Sequence, residues 1–443
     1  MMKILIYLVV LVFIAIFSPT SVYASLNWTE TQPDGNANKS WSLSAISQNG
    51  QKIIAGHQDG GLYLSSDTGS SWTRVLPEHD SDVWYTASMS ADGQVILVGT
   101  YGQRVYISSD GGVNWTETRP AGDLGIFWVS SSMSDNAGVI MIGSESGRLY
   151  RSTNQGSSWS EIRPAGDVDA TWYVDVSGDG QTILAGMDAG SGGRLYISTN
   201  AGNSWTETRP DGNQDRGWRT VSISGDGQVM LAGEYSQKLY LSTNGGSSWT
   251  ETQPVGNQTE QWTHSEITGD GKTLILSSTQ RLHTSTNQGG TWVELQPIGN
   301  QNGTWDLLNI SGNGQVLLAG NYSGRLYIGT YPPLTEAGKS TNGFICTDQA
   351  QSGAPDLFST SSSKNSVTLN FTTQKGNGYS VNYGLLPEAN QFGELFNYQG
   401  TQWTMSRTIS NLSPNTTYYF KVRATYGCNA GEWSETVQVK TKR

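Results

Sequence analysis

From Trp28 to Tyr327 the chain repeats one arrangement of apolar and polar positions about every 44 residues, a period in the range of propeller-type repeats. The unit that opens at Gly217 divides into four runs. WRTVSIS is followed by QVMLAG after a Gly225-Asp226-Gly227 turn, then by KLYLST, then by SWTETQP after an Asn244-Gly245-Gly246 turn. Each run is short, alternating or β-branched, and bounded by Gly, Asn or Asp, which is strand and turn chemistry. No stretch carries the helical period with caps at its ends. A unit this small cannot bury a core alone, so neighbouring units must stack. Four antiparallel strands per unit predict the blades of a β-propeller.

Three independent markers set the number of blades. The Trp that leads the fourth run stands at positions 28, 72, 115, 159, 205, 249 and 292. A second Trp opens each first run, at Trp41, Trp84, Trp128, Trp172, Trp218, Trp262 and Trp305. The third runs carry Leu62-Tyr63, Val105-Tyr106, Leu149-Tyr150, Leu195-Tyr196, Leu239-Tyr240, Leu282-His283 and Leu326-Tyr327. All give seven. The last unit stops after its third run, at Tyr327-Ile328-Gly329, whereas Leu26–Pro33 is a fourth run with no unit before it. Pairing the two leaves no open sheet edge. The expectation is an all-β chain: a seven-bladed propeller over residues 25–331, closed by an N-terminal strand, then a linker at 332–353 and a second domain at 354–443.

The first residues follow a different pattern. Lys3 precedes an apolar run from Ile4 to Phe17, then Ser18-Pro19 and the small-residue motif Val22-Tyr23-Ala24. That is the layout of a signal peptide over residues 1–24, and its apolar run is shorter than the roughly 20 residues of a spanning helix. Cleavage after Ala24 and a secreted or cell-surface location are expected, with no membrane insertion afterwards. The net charge of −11 argues against nucleic acid as a partner. Charged residues are only 14% of the chain. With export and an even count, Cys346 and Cys428 read as a disulfide.

The turn before each fourth run carries a motif. Ser65 to Trp72 reads S-x-D-x-G-x-x-W, Ser108 to Trp115 repeats it, and four later units replace the Asp by Asn. The key side chains are Asp67, Asp110, Asn154, Asn200, Asn244 and Asn287. This resembles the Asp-box, or BNR, repeat of sialidases, sortilin-type receptors, xyloglucanases and photosystem II assembly factors. A short carboxylate or amide there closes its own turn, so the motif is expected to hold a fold rather than perform chemistry, and it does not choose among those families.

Beyond Gly353 the pattern changes. Ser366–Phe371, Tyr379–Tyr383 and the segment Leu412–Ala424, which contains L-x-P-x-T-x-Y followed by F-x-V-x-A, resemble a fibronectin type III domain. The resemblance implies a β-sandwich with Tyr418 as its corner tyrosine and Phe371 in a core position often held by Trp. It also puts the loop bearing Cys428 near the domain's N-terminus, within reach of Cys346.

Two places could carry a ligand. On one rim, Arg104, Arg148, Arg194, Lys238, Arg281 and Arg325 recur close to the inner tryptophans, of which Trp84, Trp128, Trp218 and Trp262 are the candidates for a platform. The structural alternative is Arg stacked on Trp, with acidic loop residues neutralising the charge. In the innermost strands, one column reads Ala45, Ser88, Ser132, Asp175, Ser222, Glu266 and Asn309, with Arg219, His264 and Asp306 nearby. Ionisable groups that break a repeat suggest a channel site, formed by Asp175, Arg219, His264, Glu266 and Asp306; mutually satisfied pairs would look the same. A catalytic constellation is not visible: the arginines are mainly repeat-borne, and His264 has no triad or metal-ligand spacing around it. The reading is therefore a monomeric, non-catalytic binding or adhesion protein without cofactor or metal, recognising an extracellular glycan or protein. The alternative is a glycan-active hydrolase using Asp175 and Glu266 as its carboxylate pair.

Overall fold

The computed structural model describes residues 26–330 and 354–442, apart from 77–81, 103, 189–191, 235–237, 257–259, 300, 374–377, 385–388, 390–391, 398–403, 411, 413, 427–428 and 431. The leader, the linker, Cys346 and Cys428 lie outside the described residues. Among those described there is no helix, and none long and apolar enough to cross a membrane.

Each repeat folds as one antiparallel sheet. In blade one the strands are Trp41–Ile46, Ile53–His57, Leu62–Ser65 and Thr73–Arg74. The inner strands of the next six blades are Trp84–Met89, Trp128–Met133, Thr171–Val176, Trp218–Ile223, Trp262–Ile267 and Trp305–Ile310. Blade seven takes its outermost strand from the other end of the chain: Asn27–Thr31 pairs with Leu326–Thr330, Asn27 opposite Thr330 and Thr31 opposite Leu326. The chain is thus a seven-bladed propeller closed by its N-terminal strand.

Burial explains why alternation was so legible. Second strands lie between two blades and are buried along their length, as in Ile96–Thr100 and Ile140–Ser144. Each carries a small residue where the next blade crosses. A Cβ on Gly143 would sit 2.2 Å from the Trp172 carbonyl oxygen, closer than any real side chain tolerates. Inner strands carry a β-bulge just after their Trp in six blades, and blade four alone runs without one. Blade four also has one residue fewer between Trp172 and Val176, so the missing residue and the missing bulge cancel. Without that match, every side chain beyond it would turn to the opposite face.

The S-x-D/N-x-G turns are built from their own polar atoms. Ser65 Oγ donates to Asp67 Oδ1 at 2.8 Å and accepts from the Gly69 N–H at 2.8 Å. Asp67 then accepts from the Ser71 N–H (2.8 Å) and Ser71 Oγ (2.6 Å). The same network centres on Asp110, Asn154, Asn200, Asn244 and Asn287. The Asn114 backbone and side-chain donors hold Asp110 down to about 2. The Trp that ends the turn fastens neighbouring blades: the indole N–H of Trp72, Trp159, Trp249 and Trp292 reaches Thr31, Thr118, Thr208 and Thr252 of the preceding blade at 2.7–3.0 Å. Blade three ends in Ile162 at this position, and the Trp205 indole N–H opposite it is buried without a partner.

Beyond the linker two antiparallel sheets form a sandwich. One contains Leu357–Ser362, Val367–Thr372 and Thr404–Ile409; the other contains Phe392–Asn397, Gly378–Gly384, Thr417–Tyr426, Asn429–Ala430 and Val437–Lys440. Val367, Leu369, Phe371, Tyr379, Val381, Tyr418, Phe420 and Val422 share its core, with the Phe371 ring 5.2 Å from that of Tyr379.

Candidate functional site

The inner strands enclose a channel of about 310 Å³ whose two ends differ. At the end where these strands finish, a ring of backbone hydrogen bonds passes from blade to blade. Gln48 N–H donates to the Ala91 carbonyl, Ala91 to Asp135, Asp135 to Gly178, Gly178 to Gly225, Gly225 to Gly269, and Gly269 to Gly312, each at 2.9–3.1 Å. Asn313 N–H completes the circle on the Gln48 carbonyl at 3.0 Å. This ring draws in the floor of the channel. A Cβ on Gly225 would stand 2.9 Å from the Gly269 carbonyl oxygen, so the approach needs glycine there.

Four of the five broken-symmetry residues, Asp175, Arg219, His264 and Glu266, line this channel, Asp306 lies within electrostatic reach of His264, and the five fall in three groups. Asp175 ties blades together: its Oδ1 accepts from Ser132 Oγ (2.6 Å) and the Val176 N–H (2.8 Å), and its Oδ2 from the Ile223 N–H (2.8 Å). Burial still outweighs these bonds and pushes its carboxyl up to about 6. Glu266 lies near enough to feel Asp175. Burial first, and that neighbouring charge second, raise its carboxyl well above the usual range. His264 and Asp306 form the second group. Burial lowers the imidazole despite the attraction of Asp306, and burial raises Asp306 despite His264. Arg219, the third, is neutralised at the rim by Asp188, Nε to Oδ2 at 2.6 Å.

The tryptophan platform is not formed. Trp84, Trp128, Trp218 and Trp262 are 0, 1, 2 and 2% exposed. Each packs against the third-strand ring of its own blade: Trp84 on Tyr106 at 5.9 Å, Trp128 on Tyr150 at 5.6 Å, Trp218 on Tyr240 at 5.9 Å and Trp262 on His283 at 6.0 Å. Trp84 Nε1 also donates to the Gly60 carbonyl of the previous blade at 3.0 Å. These rings fasten blades, and neighbouring sheets cover them completely. The recurring cations pair with the fourth-strand glutamates: Arg104 with Glu117, Arg148 with Glu161, Arg194 with Glu207, Lys238 with Glu251, Arg281 with Glu294 and Arg325 with Glu30, at 2.9–3.7 Å. Exposed pairs of this kind contribute about 0–1 kcal/mol each.

A different aromatic surface occupies the rim. Tyr85, Tyr101 and Phe127 are 36, 37 and 45% exposed. Tyr101 lies flat on Phe127 with centroids 4.4 Å apart, and Tyr85 stands 5.2 Å from Tyr101. The Tyr101 hydroxyl donates to Glu145 at 2.5 Å, which with burial raises that phenol to about 12 and keeps it a donor. Tyr85 also senses the charges of Asp306 and Arg219 from its place in the channel wall. The row therefore runs from the channel mouth out along blades two and three. Sequence reasoning passes over it because, beyond the column before the buried Ile, it takes only Arg219, His264 and Asp306. The position after each inner Trp reads Ser42, Tyr85, Val129, Tyr173, Arg219, Thr263 and Asp306, and it breaks the repeat as clearly.

Fold and site define a seven-bladed β-propeller with an open, aromatic-lined mouth, joined to a C-terminal β-sandwich. The propeller is similar to a solved structure described as YCF48 bound to D1 peptide, with a TM-score of 0.54 and 12% identity over 70% of this chain and 96% of that one. It is also similar to YCF48 from Cyanidioschyzon merolae, with a TM-score of 0.52 and 13% identity over 68% and 98%. At such identity the likeness shows the fold. Residues 355–441 match the family model described as the purple acid phosphatase N-terminal domain. No curated protein matches the chain by sequence.

Proposed function

We propose that this is an exported, non-catalytic binding protein that takes a segment of another protein at the open mouth of its propeller. One observation carries the reading: the exposed Tyr85–Tyr101–Phe127 row runs directly into a channel lined by ionisable groups. Exposed aromatic rings beside polar groups with fixed partners are the composition of protein-recognition hot spots. A propeller of similar fold has been solved with a peptide, which fits the same use. A glycan is the other ligand that such rings accommodate. The hydrolase alternative fares less well, since both oxygens of Asp175 are engaged in holding three blades together.

Export rests on the leader at residues 1–24, and a secreted or cell-surface site follows from it; an exported chain whose mass still includes those residues would contradict cleavage. In this reading the S-x-D/N-x-G turns are Asp-box turns, and the C-terminal sandwich is a fibronectin type III-like spacer stapled by Cys346 and Cys428. Thiol labelling of the unfolded, unreduced chain should then find no free cysteine. The function itself is tested by presenting the mature protein and its Phe127→Ala variant to random-peptide and glycan arrays. Peptides captured by the wild type and lost by the variant support the proposal. Capture of glycans alone would transfer the site to carbohydrate, and no Phe127-dependent capture at all would refute it.

A further inference from the structure

The channel beneath the aromatic mouth contains more polar capacity than the protein itself uses. Ser88 Oγ and Thr220 Oγ1 line it and have no hydrogen-bond partner, although these residues are only 6 and 3% exposed. His264 Nδ1, on the same wall, is also buried without a partner. Glu266 makes no hydrogen bond or ion pair among the described residues. A buried polar atom with nothing to bond is costly, and native structures keep few of them. Three such atoms around one cavity, with the unengaged Glu266 carboxyl beside them, point to something that enters it.

The charges of the wall fix the sign of that group. Blade four contributes Asp175 and Tyr173 and blade six Glu266 and His264, while Asp306 of blade seven lies close enough to His264 for their charges to act on each other. Asp135 of blade three lies at the floor, and Tyr85 of blade two at the mouth. The one cation of the wall, Arg219, is already held by Asp188. Low-dielectric walls lined by a single sign of charge focus the field along the axis. Above it, the faces of Tyr85, Tyr101 and Phe127 are electron-rich and attract cations.

Resting on the protein-binding reading above, we propose that the channel is a receptor for a basic side chain. The ammonium of a lysine, or the guanidinium of an arginine, in the bound segment passes the aromatic row and is received by Glu266, with Ser88 and Thr220 as neutral acceptors. Thr220 and Ser88 hydroxyls accept from N–H as readily as water does, and the four-carbon stem of lysine matches a site that is apolar at its rim and anionic within. Burial and the Asp175 charge raise the Glu266 carboxyl, and an incoming cation favours its ionised form, so binding is coupled to release of a proton. Affinity therefore rises with pH through the range in which Glu266 ionises.

The probes are the peptides Gly-Ser-Ser-Xaa-Ser-Ser-Gly with lysine, arginine, norleucine or citrulline at Xaa, together with cadaverine. They are titrated calorimetrically into the mature protein at pH 6 and pH 8. The lysine or arginine peptide should bind at least tenfold more tightly than its uncharged counterpart, and more tightly at pH 8 than at pH 6. Proton release should appear in buffers of different ionisation enthalpy. Glu266→Gln should reduce affinity at least tenfold and abolish the pH dependence. Glu266→Ser, which restores the residue of blades two, three and five, should do the same in a chain with unaltered melting. Equal binding of charged and uncharged peptides, or unchanged affinity in both variants, overturns the proposal. Array-selected peptides that need Phe127 but neither a basic residue nor Glu266 would overturn it while leaving the protein-binding reading intact. Cadaverine bound through Glu266 without any peptide bound would do the reverse. If no probe binds, the cation site is wrong.

Discussion

Two residues of this propeller show how a repeat records its exceptions. Thr118 occupies the fourth-strand position where a hydroxyl can join two blades, accepting from the Trp159 indole at 2.8 Å and donating to the Gly156 carbonyl at 2.8 Å. Thr118→Val keeps the shape and removes both bonds, leaving a largely buried indole N–H without a partner. It should cost about 1–3 kcal/mol in urea unfolding; a change within error would show that the latch contributes nothing. Glu234 is the opposite case, a buried carboxyl held up to about 7, first by burial and then against the pull of Arg216 at 3.3 Å. Asp211, Lys238 and Glu251 also act on it. Since its folded pKa lies above its ordinary 4.5, the folded protein binds this proton more tightly than the unfolded chain. The stabilisation is complete below about pH 4.5 and is lost as pH rises through about 7. Glu234→Gln keeps the neutral form at every pH. Its stability relative to the wild type should therefore improve by up to about 3 kcal/mol between pH 4.5 and pH 8. A difference that does not vary with pH would place the Glu234 proton elsewhere.

At the scale of strands and turns, most of the architecture was legible in the residues because every blade repeats its instructions. Four strands, seven units and the borrowed outer strand of blade seven all follow from pattern, and the S-x-D/N-x-G turns mark the same boundaries. Features that depend on a neighbouring blade were not legible. Whether Trp84 is a platform or a core residue depends on the sheet laid over it, which its own unit does not encode. The floor of the channel is invisible for another reason: it is made of backbone N–H and carbonyl groups, and only the recurring Gly178, Gly225, Gly269 and Gly312 hint at it. Close approach between blades makes small residues in the second strands a steric requirement. Gly143→Ala, whose Cβ would meet the Trp172 carbonyl at 2.2 Å, should lower stability by about 1–3 kcal/mol or more. Thermal melting at the wild-type midpoint would contradict that packing.

For the molecule as a whole, the two ends of the channel differ, with a ring of backbone hydrogen bonds around one and exposed aromatic rings beside the other. The turns that hold the blades face one way, and the aromatic row faces the other. The candidate site was half legible from sequence: the structure places Asp175, Arg219, His264 and Glu266 in the channel lining and Asp306 within electrostatic reach of His264, because all five sit on inner strands. Tyr101 and Phe127 reach the mouth from loops, where the repeat is weakest and position in space cannot be counted along the chain. The central claim is that binding uses the mouth and not the turn-bearing face. It is tested most directly by titrating one array-selected peptide against the wild type, Phe127→Ala and Val113→Ala, the last altering an exposed side chain in a turn of the opposite face. The account predicts that Phe127→Ala loses about 2 kcal/mol, or roughly thirtyfold in affinity, while Val113→Ala binds as the wild type does. Loss of binding in Val113→Ala with Phe127→Ala unaffected would contradict it.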